Sequence, residues 1–351
     1  MISTASALAA LISEIAGFDP IAVDTEADSL HCYFEKLCLI QISFNRQDLL
    51  VDPLAGLDLQ PLYQLLSSKQ LILHGADYDL RLLRRAGFSD PRAVFDTMIG
   101  ARLTGHVEFS LAALVKQHFG IELVKGSQKA NWARRPLSEQ MEAYARNDTH
   151  FLIELAGILE GQLREMGRLN WFEQSCAKAI AMARVDKERD VDAAWRISGS
   201  SELQGRASAI LRALWLWRDA EARGADRPAF HILQNDKLID AAGRIDRGEG
   251  VSFPHFSPNR QRRFAAAVEE ALALREEEWP RAIRKPRNRP TPEQERFFMK
   301  LKTARDKTAT DLKLDPALIA PKATLEQIAA DPGCAPTRLL PWQLALLDPI
   351  S

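Results

Sequence analysis

Cysteine is scarce in this 351-residue chain: Cys32, Cys38, Cys176 and Cys334 are its only four. No two stand in a CxxC spacing, which excludes a zinc ribbon or a disulfide framework and fits a reducing, cytoplasmic setting. Long apolar runs are missing as well. No stretch reaches the roughly 18 residues that a membrane span needs, so no membrane segment is expected. The N-terminus, MISTASALAALISEIAG, has no basic n-region and carries Glu14, so it reads as an amphipathic helix and not as a signal peptide. There is no GxGxxG or P-loop string, which removes a nucleotide-binding oxidoreductase. Excess charge is absent too, with 46 Lys and Arg against 47 Asp and Glu.

That near-zero balance hides an asymmetry. Residues 1–165 hold 15 basic and 21 acidic side chains, whereas 166–351 hold 31 and 26. An acidic first half and a basic second half point to catalysis and polyanion capture in separate places. The hydrophobic share of 46% and charged share of 26% are those of a globular protein and exclude a disordered or fibrous chain. The length corresponds to two or three domains.

Short runs of β-formers lie at 21–25 (IAVDT), 37–43 (LCLIQIS) and 48–52 (DLLVD), spaced as a meander. LILH at 71–74 and AVFDT at 93–97 read as further strands. Helical spacing marks 58–68, 77–86, 97–104, 109–119 and 137–166. Three strands followed by alternating helices and strands predict an α/β domain with a mixed sheet. Beyond about residue 205 the strand signal stops, and 206–223 and 259–278 are amphipathic helices. Arg218-Asp219-x-x-Ala222 recurs as Arg305-Asp306-x-x-Ala309, with Pro228 and Leu238 answered by Pro316 and Leu325. Two copies of a small helical module flanking a basic, proline-rich linker account for this.

The chemistry concentrates in three acidic strings. In IAVDTEAD, Asp24 and Glu26 are two apart on a predicted strand and share a face. Two carboxylates there repel each other unless a divalent cation lies between them, and hard oxygen ligands suit Mg²⁺ or Mn²⁺. In LILHGADYDLRLL, Asp79 falls in the first helical turn after a strand and directly precedes the Leu80-x-Leu82-Leu83 register. Asp77 is the alternative acid, or a helix cap. In RPLSEQMEAYARNDTHFL, Ser138 is a plausible N-cap, and Tyr144 and Asp148 are i and i+4 on one helix face. Four carboxylates and a tyrosine converging on one sheet edge match two-metal phosphoryl chemistry.

These three strings resemble the exonuclease motifs of the DEDD 3′→5′ exonucleases. Tyr144, four residues before Asp148, places them in the tyrosine subtype; the position five before, a histidine in the other subtype, is Ala143. Motif order and the Arg-Pro-Leu-Ser helix start are similar to the ribonuclease D family. The Arg-Asp-x-x-Ala modules resemble HRDC domains, the second one diverged. The resemblance implies a ribonuclease H-like α/β domain with a mixed sheet, followed by all-α HRDC-type domains. It implies an exonuclease domain at 1–170, a connecting helical segment at 171–205, an HRDC domain at 206–280, a basic linker at 281–292 and a second HRDC-like domain at 293–351. It carries metal binding onto Asp24, Glu26, Asp79 and Asp148, with two Mg²⁺ or Mn²⁺ ions, and water positioning onto Tyr144. It further implies trimming of RNA 3′ ends with release of 5′-monophosphates, tRNA precursors being the expected substrate and a monomer the expected state. A DNA exonuclease with the same site, or an RNA-binding scaffold, are the alternatives.

Other residues are read on their own terms. Gln41, within an apolar strand, is a hydrogen-bonded core amide or a contact to the terminal nucleotide. Lys129, Trp132 and Arg135 grip phosphate and stack a base, or else pack at the rim. His74 and Asp96 are read as structural, the latter as a helix cap. The remaining histidines, His106 and His118 among them, show no metal spacing with one another. Residues 281–307 hold 10 basic and 3 acidic side chains, a run suited to a phosphate backbone. Of the near neighbours Trp215 and Trp217, at least one is expected in a core.

Overall fold

Aliphatic and β-branched residues build five strands: β1 (Ile21–Ala27), β2 (Leu37–Phe44), β3 (Gln47–Val51), β4 (Gln70–Leu73) and β5 (Ala93–Asp96). All five lie where the sequence places them. They form one sheet in the order β3-β2-β1-β4-β5. The pairs β1–β2 and β2–β3 are antiparallel, whereas β1–β4 and β4–β5 are parallel. The sheet is therefore mixed, with a three-stranded antiparallel meander joined to a parallel edge. In this computed structural model residues 1–123, 126–185, 190–281 and 289–347 are described. Most of the basic linker expected at 281–292, namely 282–288, lies outside them. Among the described residues no helix is long and apolar enough to cross a membrane.

The described chain divides into two units. The first comprises Met1–Ala27, Lys36–Asp186 and Asn288–Ser351; the second comprises Asp28–Glu35 and Lys187–Arg287. In the first, strand alternation sorts β1 into two faces. Ile21 and Val23 pack with α1 (Ala5–Ile15), α2 (Gln60–Ser67) and α3 (Asp77–Arg85) through Leu8, Leu11, Leu62, Leu80 and Leu83. Ala22 faces the other way, into a core with Phe95 and with Leu155, Leu159 and Phe172. These come from α7 (Leu152–Glu165) and α8 (Leu169–Ala183), below α4 (Thr97–Leu103), α5 (Leu111–Phe119) and α6 (Glu139–His150) in chain order. Asp24 and Glu26 continue the Ala22 face toward the end of the strand.

The single helix expected over 137–166 is two, broken at Phe151. Buried Thr149 ends α6 tied to β2, its hydroxyl 2.6 Å from that of Ser43, while Leu152 begins the apolar stripe of α7.

The second unit is helical: α9 (Val191–Ala194), α10 (Arg206–Gly224), α11 (Ala229–Ile232), α12 (Asn235–Asp246) and α13 (Pro258–Leu272). Trp215 and Trp217 both lie in its core with Leu214, Leu238, Phe256 and Phe264. The inserted segment Asp28–Glu35 belongs to it: the Tyr33 hydroxyl donates to Asp219, and the Tyr33 and Phe34 amides donate to Asp226.

The sequence repeat has a structural counterpart. In the first unit α14 (Pro292–Leu312), α15 (Pro316–Ile319) and α16 (Lys322–Ala330) repeat the long-short-medium order of α10 to α12. Arg218 Nη1 donates to Leu233 O at 2.9 Å, and Arg305 Nη1 donates to Ala320 O at 2.8 Å. Both arginines are buried, so in each copy the conspicuous cation is a structural tie and not a surface charge. Helices α17 (Ala335–Arg338) and α18 (Pro341–Ala345) complete the chain. The α14–α18 segment shares one core with the sheet-bearing part: Leu301, Ile319, Leu325 and Trp342 pack with Phe95, Leu159 and Phe172. Trp342 stacks on Trp171 of α8 with centroids 5.0 Å apart and planes 13° from parallel.

Candidate active site

Each acid reaches the site for a local reason. Asp24 and Glu26 share a face of β1 because strand side chains alternate. Asp79 follows from a turn. Gly75 adopts φ +81, a left-handed conformation that favours glycine, and reverses the chain between β4 and α3. Asp96 fastens that turn: its carboxylate accepts from the Gly75 and Ala76 amides at 3.0 and 2.9 Å and, as N-cap of α4, from Met98 N at 2.9 Å. The structural reading of Asp96 therefore holds. So does that of His74, whose Nδ1 lies 2.9 Å from the Thr97 hydroxyl. In the first turn of α3, Asp77 is ion-paired with Arg81, whereas Asp79 is buried and held by Thr25. Ser138 caps α6 by accepting from Met141 N at 3.2 Å. That sets the phase of the helix, so that Tyr144 and Asp148 face β1.

All five residues line one cavity of about 700 Å³. Carboxylate oxygens of Asp24, Glu26 and Asp148 lie within 4.8 Å of one another. Asp79 lines the same cavity outside that triplet. Tyr144 is hydrogen-bonded to both Asp148 and Gln128. Its single proton serves the carboxylate, so the Gln128 amide donates to the phenol oxygen.

The electrostatics are those of an uncompensated acidic cluster. Burial, then the charges of Asp79, Asp148 and Glu26, raise Asp24 well above the usual carboxylate range. Glu26 is pushed up to about 9 by burial, then by Asp148 and Asp79. Asp148 rises to about 7, chiefly through burial and against the hydrogen bond from Tyr144. Asp79 rises to about 6, burial outweighing its bonds from Thr25. Burial and the three neighbouring carboxylates raise Tyr144 as well, which keeps it a neutral phenol. Buried like charges at this spacing cannot all ionise without a counter-cation. Among the described residues the group able to hold a metal ion here, Asp24, Glu26 and Asp148, offers carboxylate oxygen, which is the ligand chemistry of Mg²⁺ and Mn²⁺. The residues fit such ions.

The four residues expected to touch nucleotide are placed elsewhere, and none lines the cavity. Gln41 pairs across the sheet with Asp24 but is fully buried, and among the described residues neither amide atom has a partner. Trp132 is 1% exposed and packs under Tyr144 with Leu39 and Leu50, so neither ring face is open to a base. The Arg135 guanidinium is spent on Asp52, at 2.7 and 2.6 Å, and on the carbonyls of Cys38 and Trp132. Lys129 is exposed and outside the lining. The wall is made instead by Tyr78, Met98, Phe109, Leu111, Leu123 and Gln128, which the sequence reading missed. Tyr78 alone left a signal: an aromatic between two acids, off the apolar stripe of α3 and 44% exposed.

Comparison with known proteins agrees with this geometry. A family model described as a 3′-5′ exonuclease matches residues 1–164, and an HRDC domain model matches 207–245. Ribonuclease D of Zymomonas mobilis is 33% identical over 296 residues, covering 80% of this chain and 74% of that protein. Among solved structures, the Escherichia coli RNase D, described as an exoribonuclease involved in structured RNA processing, is 25% identical with a TM-score of 0.72, covering 99% of this chain and 96% of that one. A protein from Bifidobacterium adolescentis is 26% identical with a TM-score of 0.84, covering 100% and 95%.

Proposed function

The chain belongs to the ribonuclease D family and is a 3′→5′ exoribonuclease; from that premise we propose that it trims structured RNAs such as tRNA precursors, one nucleotide at a time, by two-metal hydrolysis that releases 5′-monophosphates. The observation that carries this reading is the convergence of Asp24, Glu26, Asp79, Tyr144 and Asp148 on one cavity. Asp24, Glu26, Asp79 and Asp148 would hold two divalent ions, Mg²⁺ or Mn²⁺, which when bound supply the charge that acidifies the attacking water and offsets the leaving 3′ oxygen.

The chain's own groups do the rest. Tyr144 stays protonated, so it orients the attacking water by hydrogen bonding and does not act as a base. Its oxygen is held from two sides by Asp148 and Gln128, which aims it. Thr25 fixes one oxygen of Asp79 and so orients that carboxylate. Phe109, Leu111 and Met98 give an apolar surface for the terminal base, and exposed Tyr78 a ring on which to stack it. The helical unit that matches the HRDC model supplies grip on the body of the RNA.

The test is turnover of a 3′-labelled RNA with Mg²⁺ or Mn²⁺. Mononucleotide release by the wild type, abolished by Asp24→Asn, supports the reading. A wild type as inert as Asp24→Asn sinks it. Short oligonucleotides and tRNA precursors compared side by side examine the substrate class, since faster trimming of the precursor is expected.

A further inference from the structure

The segment between α4 and α5 brings together two histidines that no sequence spacing relates. His106 lies in that segment and His118 in the last turn of α5; their Nε2 atoms are 3.1 Å apart, with both rings half-buried. The ring protons follow from the surroundings. Thr104 Oγ1 is 3.0 Å from Gly100 O and 2.9 Å from Ala101 O, so its one proton goes to a carbonyl. His106 Nδ1, 2.9 Å from that hydroxyl oxygen and 3.2 Å from Ala101 O, is then the donor. Its Nε2 is left as a lone pair aimed at His118. Burial, then the neighbouring His106, hold the His118 pKa below its ordinary value, so this ring is neutral near pH 7.

Two ring nitrogens that face each other at this distance are either hydrogen-bonded or converge on a cation. Three features favour the cation. A tetrahedral ion about 2.0–2.1 Å from each nitrogen holds the two about 3.3 Å apart, within a few tenths of an ångström of the distance here. A ring N–H directed at a backbone oxygen is the support that metal-binding imidazoles have. The adjoining groove, about 420 Å³, is lined by His106, Glu108 and Gln117; among the described residues no acid, thiol or further imidazole stands with the pair as a third ligand, so the groove leaves room for water to complete the coordination. We propose that His106 and His118 form a second cation site for an ion of the Zn²⁺ class, nitrogen-based and separate from the all-oxygen acid cluster. Binding needs one change in the protein: the ring proton of His118 moves from Nε2 to Nδ1.

The site has a consequence for the cavity. The same segment continues into Phe109, Ser110 and Leu111, which line it. On its other side Gly105, at φ +89, packs so closely that a Cβ would stand 2.9 Å from Lys313 O. An ion at the two histidines ties this wall, already packed on the core through Phe109 and Leu111, to the end of α5 as well.

The experiment titrates Zn²⁺ calorimetrically into the full chain carrying Asp24→Asn and Asp148→Asn, which removes two carboxylates of the acid cluster. One Zn²⁺ per chain is expected, with affinity falling about tenfold or more on addition of His118→Ala. Circular dichroism confirms the fold of each variant; should His118→Ala alter the spectrum, His118→Gln replaces it with the same expected loss. In the parent, Zn²⁺ slows amide exchange across 105–110, and in the His118 variant it does not. Zn²⁺ binding that His118 substitution leaves unchanged, or none in the parent, overturns the proposal and leaves an imidazole–imidazole hydrogen bond.

Discussion

The Thr25 hydroxyl lies 2.6 Å from Oδ1 of Asp79, and the Thr25 amide reaches the same oxygen at 3.1 Å. A residue on β1, between the two strand acids, thereby orients the acid on α3. Thr25→Val keeps the shape and the amide bond but removes the hydroxyl. Activity is expected to fall by about 10- to 100-fold, with more Mg²⁺ needed for half-maximal rate, as for loss of a ligand-orienting partner. Rates measured across a Mg²⁺ titration decide it; an unchanged metal requirement would show that Asp79 is oriented without Thr25.

Tyr144→Phe separates water positioning from substrate binding. The phenol is raised well above its usual range and so remains protonated at any working pH. Removing it lowers kcat by about 10²-fold or more with KM little changed. Single-turnover rates on labelled RNA, with and without the hydroxyl, give the comparison. A rise in KM at constant kcat would move Tyr144 from the chemistry to the substrate wall.

Glu221 gives a pH dependence with a definite sign. Its carboxylate accepts from Arg263 and Arg260. The bond from Arg263 first, and that from Arg260 next, hold its pKa below the ordinary value in the folded state. A lowered carboxylate contributes stability that is fully present above the unfolded pKa of about 4.3 and is lost as pH falls through the folded value. Glu221→Gln is expected to cost the helical unit about 1.5–3 kcal/mol at pH 7. Chemical denaturation of wild type and variant should show that gap constant down to about pH 4.5 and shrinking below it.

Trp342 tests whether the C-terminal helices are separable from the sheet-bearing core. It is 5% exposed and stacked on Trp171. Trp342→Ala in the full chain should cost about 3–5 kcal/mol and lower the unfolding midpoint of the catalytic unit itself, followed through loss of nuclease activity in urea. An independent module would instead unfold by itself and leave activity intact.

Much of the fold was legible because local patterns carry it. The strand runs around Asp24, Leu39 and Leu50 alternate or stay apolar in short lengths, and Ser138 marks a helix start that needs no tertiary information. The acids were legible because the chemistry of two close carboxylates restricts what can surround them. Less visible were relationships that close over long separations. Arg135 reads as a phosphate grip until Asp52, 83 residues earlier, takes its guanidinium. Trp132 reads as a stacking platform until Tyr144 and Leu39 cover it. His106 and His118 share no spacing rule, and only the turn at Gly105 and the length of α5 bring their rings together. The apolar wall of the cavity comes from ordinary residues such as Met98 and Phe109, whose type announces nothing.

Asp96 has a reach beyond its own turn. Through Gly75 and Ala76 it sets where α3 begins, and hence where Asp79 stands; through Met98 N it sets where α4 begins, and hence the Met98 side of the cavity. Acid and cavity wall are thus surveyed from a single benchmark. Neither can drift without carrying the other, so the spacing between Asp79 and the Met98 wall is guarded by one buried side chain.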